Sequence, residues 1–143
     1  IADIGNIYKW RNHSSVRKNS FNKKKISLKK NKIFWEKNLN SRNYLSYTLF
    51  FRTKKIQACG VFSARLYTKY FLINYLIAPK FRNLGLSKFL LTHGVKKLNI
   101  YKKSIRIIAK VKKNNILSIL SLHSSGFKMH KEMKSYIIMI FKK

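Results

Sequence analysis

The chain has 143 residues, 45% of them hydrophobic, which is enough for one domain with a real core and too few for several. Its 33 lysines and arginines face only Asp3, Glu36 and Glu132, giving a formal charge of +30. A lone Cys59 excludes an intramolecular disulfide, no Cys/His group has zinc-like spacing, and no apolar run approaches the roughly 18 to 20 residues that span a bilayer.

In chain order, Ile4, Ile7 and Tyr8 fall at helical spacing and predict a short helix over residues 3–12, followed by a polar, basic loop through Lys25. Ser27 is placed to cap a second helix with Leu28, Phe34 or Trp35, and Leu39 on its apolar side, ending at the polar 40–43 break. From Tyr44 the pattern turns β-rich. Runs over 44–51 and 56–66, joined by Thr53-Lys54-Lys55, and a third over 70–78 stopped by Pro79, predict an antiparallel meander. A helix over 88–98, a strand over 104–111, a short helix over 115–123 closed by Gly126 and a strand over 136–141 complete the order. The expected architecture is α-α-β-β-β-α-β-α-β, an α+β sandwich without internal repeats. The chain opens on Ile1 rather than a methionine, so 1–143 is read as a single, N-terminally incomplete domain with a strand or domain upstream. With no signal-peptide apolar stretch at the start, the expected compartment is the cytoplasm.

The positive charge suggests a polyanionic partner, nucleic acid included. The lysines run along the whole chain and greatly outnumber the seven arginines. Together with abundant Asn, Ile, Phe and Tyr, this is also what a strongly AT-biased genome encodes.

Chemistry concentrates after Pro79. The segment Lys80-Phe81-Arg82-Asn83-Leu84-Gly85-Leu86-Ser87 leads from a strand into a helix, and such a loop presents unpaired backbone N–H groups to an anion. Gly85 and the small Ser87 would let a pyrophosphate approach. Taken alone, Arg-x-x-Gly-x-Ser equally describes a plain turn. In context, Tyr75-Leu76-Ile77-Ala78-Pro79 through Ser87 resembles the signature of the GNAT superfamily of N-acyltransferases, Arg/Gln-x-x-Gly-x-Gly/Ala after a strand. Farther on, Ala109 to Ser118 and Ser125-Gly126-Phe127 look like the superfamily's second block, Asn-x-x-Ser on a helix closed by Gly-Phe.

The resemblance implies an acyl-CoA-dependent N-acyltransferase of the α+β GNAT fold. That fold is a mostly antiparallel sheet, splayed at the acetyl-CoA site and flanked by helices, here with its first strand missing. It also implies that the strand ending at Leu76, Ile77 and Ala78 pairs with the pantetheine arm. Amides of Arg82, Asn83, Leu84, Gly85, Leu86 and Ser87 would hold the pyrophosphate, and Asn115 and Ser118 would bond the cofactor; the alternative for these last two is a helix cap and a surface hydroxyl. Acetyl-CoA is the implied co-substrate, and no metal is called for.

The implied reaction is direct attack of a neutral amine on the thioester, with a backbone N–H near Ile77 stabilising the oxyanion. Many relatives carry a Glu in the strand before the signature loop, and this chain has none in 70–78. Many carry a Tyr four residues before Gly-Phe pair; here that position is Leu122. The catalytic acid and base are therefore unassigned. His123, Tyr75 and His13 are the candidates for a proton donor, and Glu36 reads as a solvated helix residue.

Trp10-Arg11-Asn12-His13, with Val16-Arg17, Ser20, Ile26-Ser27-Leu28 and Phe34-Trp35, resembles the N-terminal region of N-acetyltransferases of pseudaminic acid biosynthesis. Those enzymes acetylate the 4-amino group of a UDP-linked amino-deoxy sugar. This places Trp10, Arg11 and Asn12 near the acceptor cleft, where Arg11 could pair with a phosphate and Trp10 stack on a base or sugar; the alternative is that Trp10 anchors the first helix in the core. Two rivals stay open: acetylation of a ribosomal protein's N-terminal amine, and a catalytically degenerate fold that binds RNA or acts as a scaffold. A homodimer is compatible with all of these readings.

Overall fold

The computed structural model describes residues 3–141. Three helices come first, α1 (Ile4–Asn12), α2 (Ser14–Asn19) and α3 (Leu28–Leu39). Strands β1 (Tyr44–Arg52), β2 (Ile56–Leu66) and β3 (Tyr70–Ile77) follow, then a 3₁₀ turn over Pro79–Phe81 and α4 (Leu86–Tyr101). The last elements are β4 (Arg106–Lys112), α5 (Ile116–Ser124), β5 (Phe127–Glu132) and β6 (Tyr136–Phe141). They build one six-stranded sheet in the order β1-β2-β3-β4-β6-β5. All neighbours are antiparallel except β3 and β4, which are joined by the α4 crossover. None of the described helices is long and apolar enough to cross a membrane.

The meander appears as the sequence predicts. Two elements depart from expectation. The basic stretch after Asn12 contains α2, which starts because the His13 side chain accepts a hydrogen bond from the Ser15 amide and caps it. Residues 127–132 form β5, a strand exposed along its length after Phe127. Its lysines and His130 carry no buried-face alternation from which a strand could be read, and its place at the sheet edge makes a buried face unnecessary.

Each sheet face has its own core. On one, Phe62, Phe71, Ile73 and Ile77 pack with Leu90, Leu91, Val95 and Leu98 of α4 and with Leu122 of α5. Gly94 makes this possible, because a Cβ there would sit 2.5 Å from the Phe62 ring. On the other face, Ile7 and Trp10 of α1 and Trp35 of α3 cover Val61 and Ala78. Buried amides fasten these helices: Asn31 donates to the Ile4 carbonyl at 3.3 Å, and Asn38 donates to the Phe34 carbonyl while accepting from Arg65.

Candidate active site

The site begins where β3 and β4 part. They pair only from Tyr70↔Arg106 to Ile73↔Ala109. Beyond that, β3 stays with β2 as far as Ile77↔Gly60, and β4 stays with β6 as far as Lys112↔Tyr136. A wedge therefore opens beside Asn74–Ile77. The Ala78 amide donates to the Cys59 carbonyl at 2.8 Å, and the alternation of an antiparallel ladder turns Leu76 and Asn74 toward β2 as well. The backbone groups of Tyr75 and Ile77 then face the wedge, available to an extended ligand that would act as a further strand. Among the predicted residues, Ile77 has its backbone toward the wedge; the backbone groups of Leu76 and the Ala78 amide are turned to β2, and the Ala78 carbonyl accepts from the Phe81 amide at 2.9 Å.

At the end of the wedge the chain turns through Arg82–Gly85 into α4. Asn83 (φ 63°) and Gly85 (φ 71°) are both left-handed, so the loop doubles back and directs the amides of Leu86, Ser87 and Lys88 outward. The first helical bond is from the Phe89 amide to the Gly85 carbonyl at 3.5 Å, which leaves the three amides before it without an intrahelical acceptor. No atom other than those of Gly85 and its two chain neighbours lies within 4 Å of where a Gly85 Cβ would be, and Leu84 is exposed. This loop and its dipole suit a pyrophosphate. Arg82 reaches back to Ser15 of α2 at 2.9 Å, tying this loop to the N-terminal helices.

α5 closes the far side. The Asn115 side chain accepts from the Ser118 amide at 3.4 Å, capping the helix. The Tyr75 hydroxyl donates to Ser118 Oγ at 3.0 Å, so one side chain joins β3 to α5. Burial raises the Tyr75 pKa, with hydrogen bonds to Ser118 and Ser121 partly offsetting it. His123 is exposed, and so is His13, whose Nδ1 lies 2.8 Å from Ser15 Oγ. Leu122 is buried in the core. Glu36 is exposed and lies 3.9 Å from Lys32.

On the opposite sheet face, a cavity of ≈ 50 Å³ is lined by Ile7, Arg11, Phe34, Trp35, Tyr44, Val61, Ser63, Asn74, Tyr75 and Leu76. It draws on α1, α3 and all three meander strands. Of the three residues expected near an acceptor, only Arg11 borders it. Trp10 is 9% exposed and anchors α1 in the core. Asn12 exchanges two hydrogen bonds of 2.9 Å with the Ile26 backbone and pins the loop before α3. Tyr44 and Ser63 were not signalled by the sequence, because a tyrosine or serine in a strand has no motif around it. Burial raises the Tyr44 pKa, a hydrogen bond to Ser63 and the Arg65 and Arg11 charges working against it.

No protein-family model and no curated protein matches this sequence. Solved structures do match. A domain from Methanocaldococcus jannaschii is 20% identical, with 97% of this chain and 91% of that one covered and a TM-score of 0.85. The Campylobacter jejuni N-acetyltransferase PseH, in complex with acetyl coenzyme A, is 19% identical over 99% and 91%, at 0.73. Spermidine N-acetyltransferase from Vibrio cholerae, in complex with CoA and spermine, is 13% identical over 97% and 88%, at 0.81. The six-stranded, mostly antiparallel sheet with its flanking helices is thus the GNAT fold, the fold of these acetyltransferases.

Proposed function

We propose that the chain is an N-acetyltransferase that moves an acetyl group from acetyl-CoA to a primary amine. The observation that carries this reading is the wedge beside Tyr75–Ile77 leading into the left-handed loop before α4. One feature receives an extended, hydrogen-bonding arm and the other receives its phosphates. Asn115 and Ser118 sit across the wedge, with the Asn115 amide group and the Ser118 hydroxyl as polar partners for the arm. The thioester supplies an electrophilic carbonyl carbon.

In this reading the Ile77 N–H donates to the oxyanion as the amine nitrogen bonds to that carbon. As the C–S bond breaks, the Tyr75 hydroxyl protonates the departing thiolate, and Ser118 holds the hydroxyl in place. No carboxylate lines the acceptor cavity, so the amine enters in its neutral form, having left a proton in solvent; after attack it gives a second proton to water, and the Tyr75 phenolate takes one back from water to restore the hydroxyl.

The acceptor we infer is the 4-amino group of a UDP-linked amino-deoxy sugar. The PseH neighbour and the Trp10-to-Trp35 pattern support this assignment. Arg11, at the cavity edge, is the residue for the nucleotide phosphates.

Calorimetric titration with acetyl-CoA, alongside Gly85→Trp, tests the cofactor site. The indole would occupy the open space at Gly85 and strain its left-handed backbone. Saturable wild-type binding that the variant loses is expected; a folded wild type that binds no acetyl-CoA would overturn the reading.

A further inference from the structure

The sheet face that carries α4 and α5 turns an apolar, basic and acid-free surface to solvent. α5 buries Leu122 and leans Ile119 on the core, which leaves Ile116, Leu117 and Leu120 on its outer side, with Leu117 71% and Leu120 59% exposed. In a chain where 33 of 143 residues are lysine or arginine, neither occurs from Asn114 to Phe127, so no long charged side chain of α5 itself covers these three. On α4, the positions opposite buried Leu91, Val95 and Leu98 are Phe89, Lys96 and Ile100, all exposed. Lys128, just past α5, is exposed as well. The chain has no Asp or Glu between Glu36 and Glu132, so neither helix contributes a carboxylate.

Exposed aliphatic side chains gathered on one helix mark a binding surface, and the lysines beside them narrow the partner. A nucleic-acid backbone would meet the ammonium groups but has no use for leucine and isoleucine, and a second copy of the chain would bring Lys96 and Lys128 against like charges. An anionic bilayer takes both, since its acyl boundary accepts the aliphatic groups and its phosphates accept the lysines. We propose that the α4–α5 face docks on an anionic lipid bilayer, with Leu117 and Leu120 set into the headgroup boundary and the neighbouring lysines against lipid phosphates. Docking calls for no bound acetyl-CoA, so it stands apart from the acetyltransferase reading.

The test is co-sedimentation of the protein, at low and high salt, with vesicles of phosphatidylcholine alone or mixed with phosphatidylglycerol. The mixed vesicles should bind it, more weakly as salt rises, and phosphatidylcholine vesicles should bind it far less. Leu117→Gln combined with Leu120→Gln keeps the charge and the helix propensity, and should lose roughly tenfold in affinity for the mixed vesicles, whereas Leu117→Met with Leu120→Met should retain it. Unchanged binding by the glutamine variant would mean that charge alone holds the membrane, and it overturns the inference, as does failure of the wild type to bind the mixed vesicles. So does a wild-type dimer in sedimentation velocity that becomes a monomer in the glutamine variant, since a second copy would then cover the face. Both leucines are exposed, so the variants should melt with the wild type.

Discussion

Tyr75 shows what one residue gains from its surroundings. As a strand tyrosine it has no motif, and in sequence it competes evenly with two histidines. In the fold both histidines are exposed, whereas the Tyr75 hydroxyl meets Ser118 across the wedge, and on that contact rests its role as proton donor in the proposed reaction. Tyr75→Phe should lower kcat about 10²- to 10⁴-fold while acetyl-CoA affinity by calorimetry stays unchanged. The pH dependence has a defined sign. Burial lifts this hydroxyl above its ordinary value of 10.0, so the protonated, donating form is fully present below that pH and is lost as pH rises through the folded-state value. A kcat–pH profile should therefore show no loss from Tyr75 below about pH 10. A limb near neutrality that disappears in Tyr75→Phe would contradict this. Trp10, Arg11 and Asn12 give the opposite lesson. They are adjacent in sequence, yet α1 turns Trp10 into the core, Arg11 to the cavity and Asn12 to the loop backbone.

Among elements, α4 carries both the left-handed loop at its start and the packing against Phe62. Gly94→Ala forces a methyl into the Phe62 ring, so it should destabilise the protein by about 1 to 3 kcal/mol in urea unfolding, without altering which ligands bind. The Asn115 cap on α5 is long at 3.4 Å, and Asn115→Ala should cost about 0.5 to 2 kcal/mol, toward the lower end. A larger loss of acetyl-CoA affinity than of stability in that variant would mark Asn115 as a cofactor contact as well as a cap. The elements that escaped sequence reading share a cause. α2 is six residues long with no buried residue, and β5 lies at the edge. Neither buries a face, so neither imposes an apolar period on its residues.

For the whole molecule, the charge of +30 works against the folded state, since like charges are brought closer together on folding. Screening relieves this, and the Tm should rise as salt is raised from about 0.05 M to about 0.5 M, where the Debye length falls below 10 Å. Differential scanning calorimetry would show it; a Tm that falls with salt would mean that the few ion pairs outweigh the repulsion. The same charge tests the RNA-binding rival. Salt-sensitive RNA binding that persists with saturating acetyl-CoA would support that rival over the enzyme.

The sequence by itself determined the meander, the stop at Pro79, the glycine before α4 and the Ser27 cap. Each of these follows from backbone preferences within a few residues, which act before any tertiary contact forms. Only the tertiary structure decided where β3 leaves β4, that Tyr75 touches a serine 43 residues away, and that Arg11 joins Tyr44, Ser63 and Trp35 around one cavity. Those facts depend on strand register and on how helices lie on a twisted sheet, and both are set by packing between segments far apart in the chain.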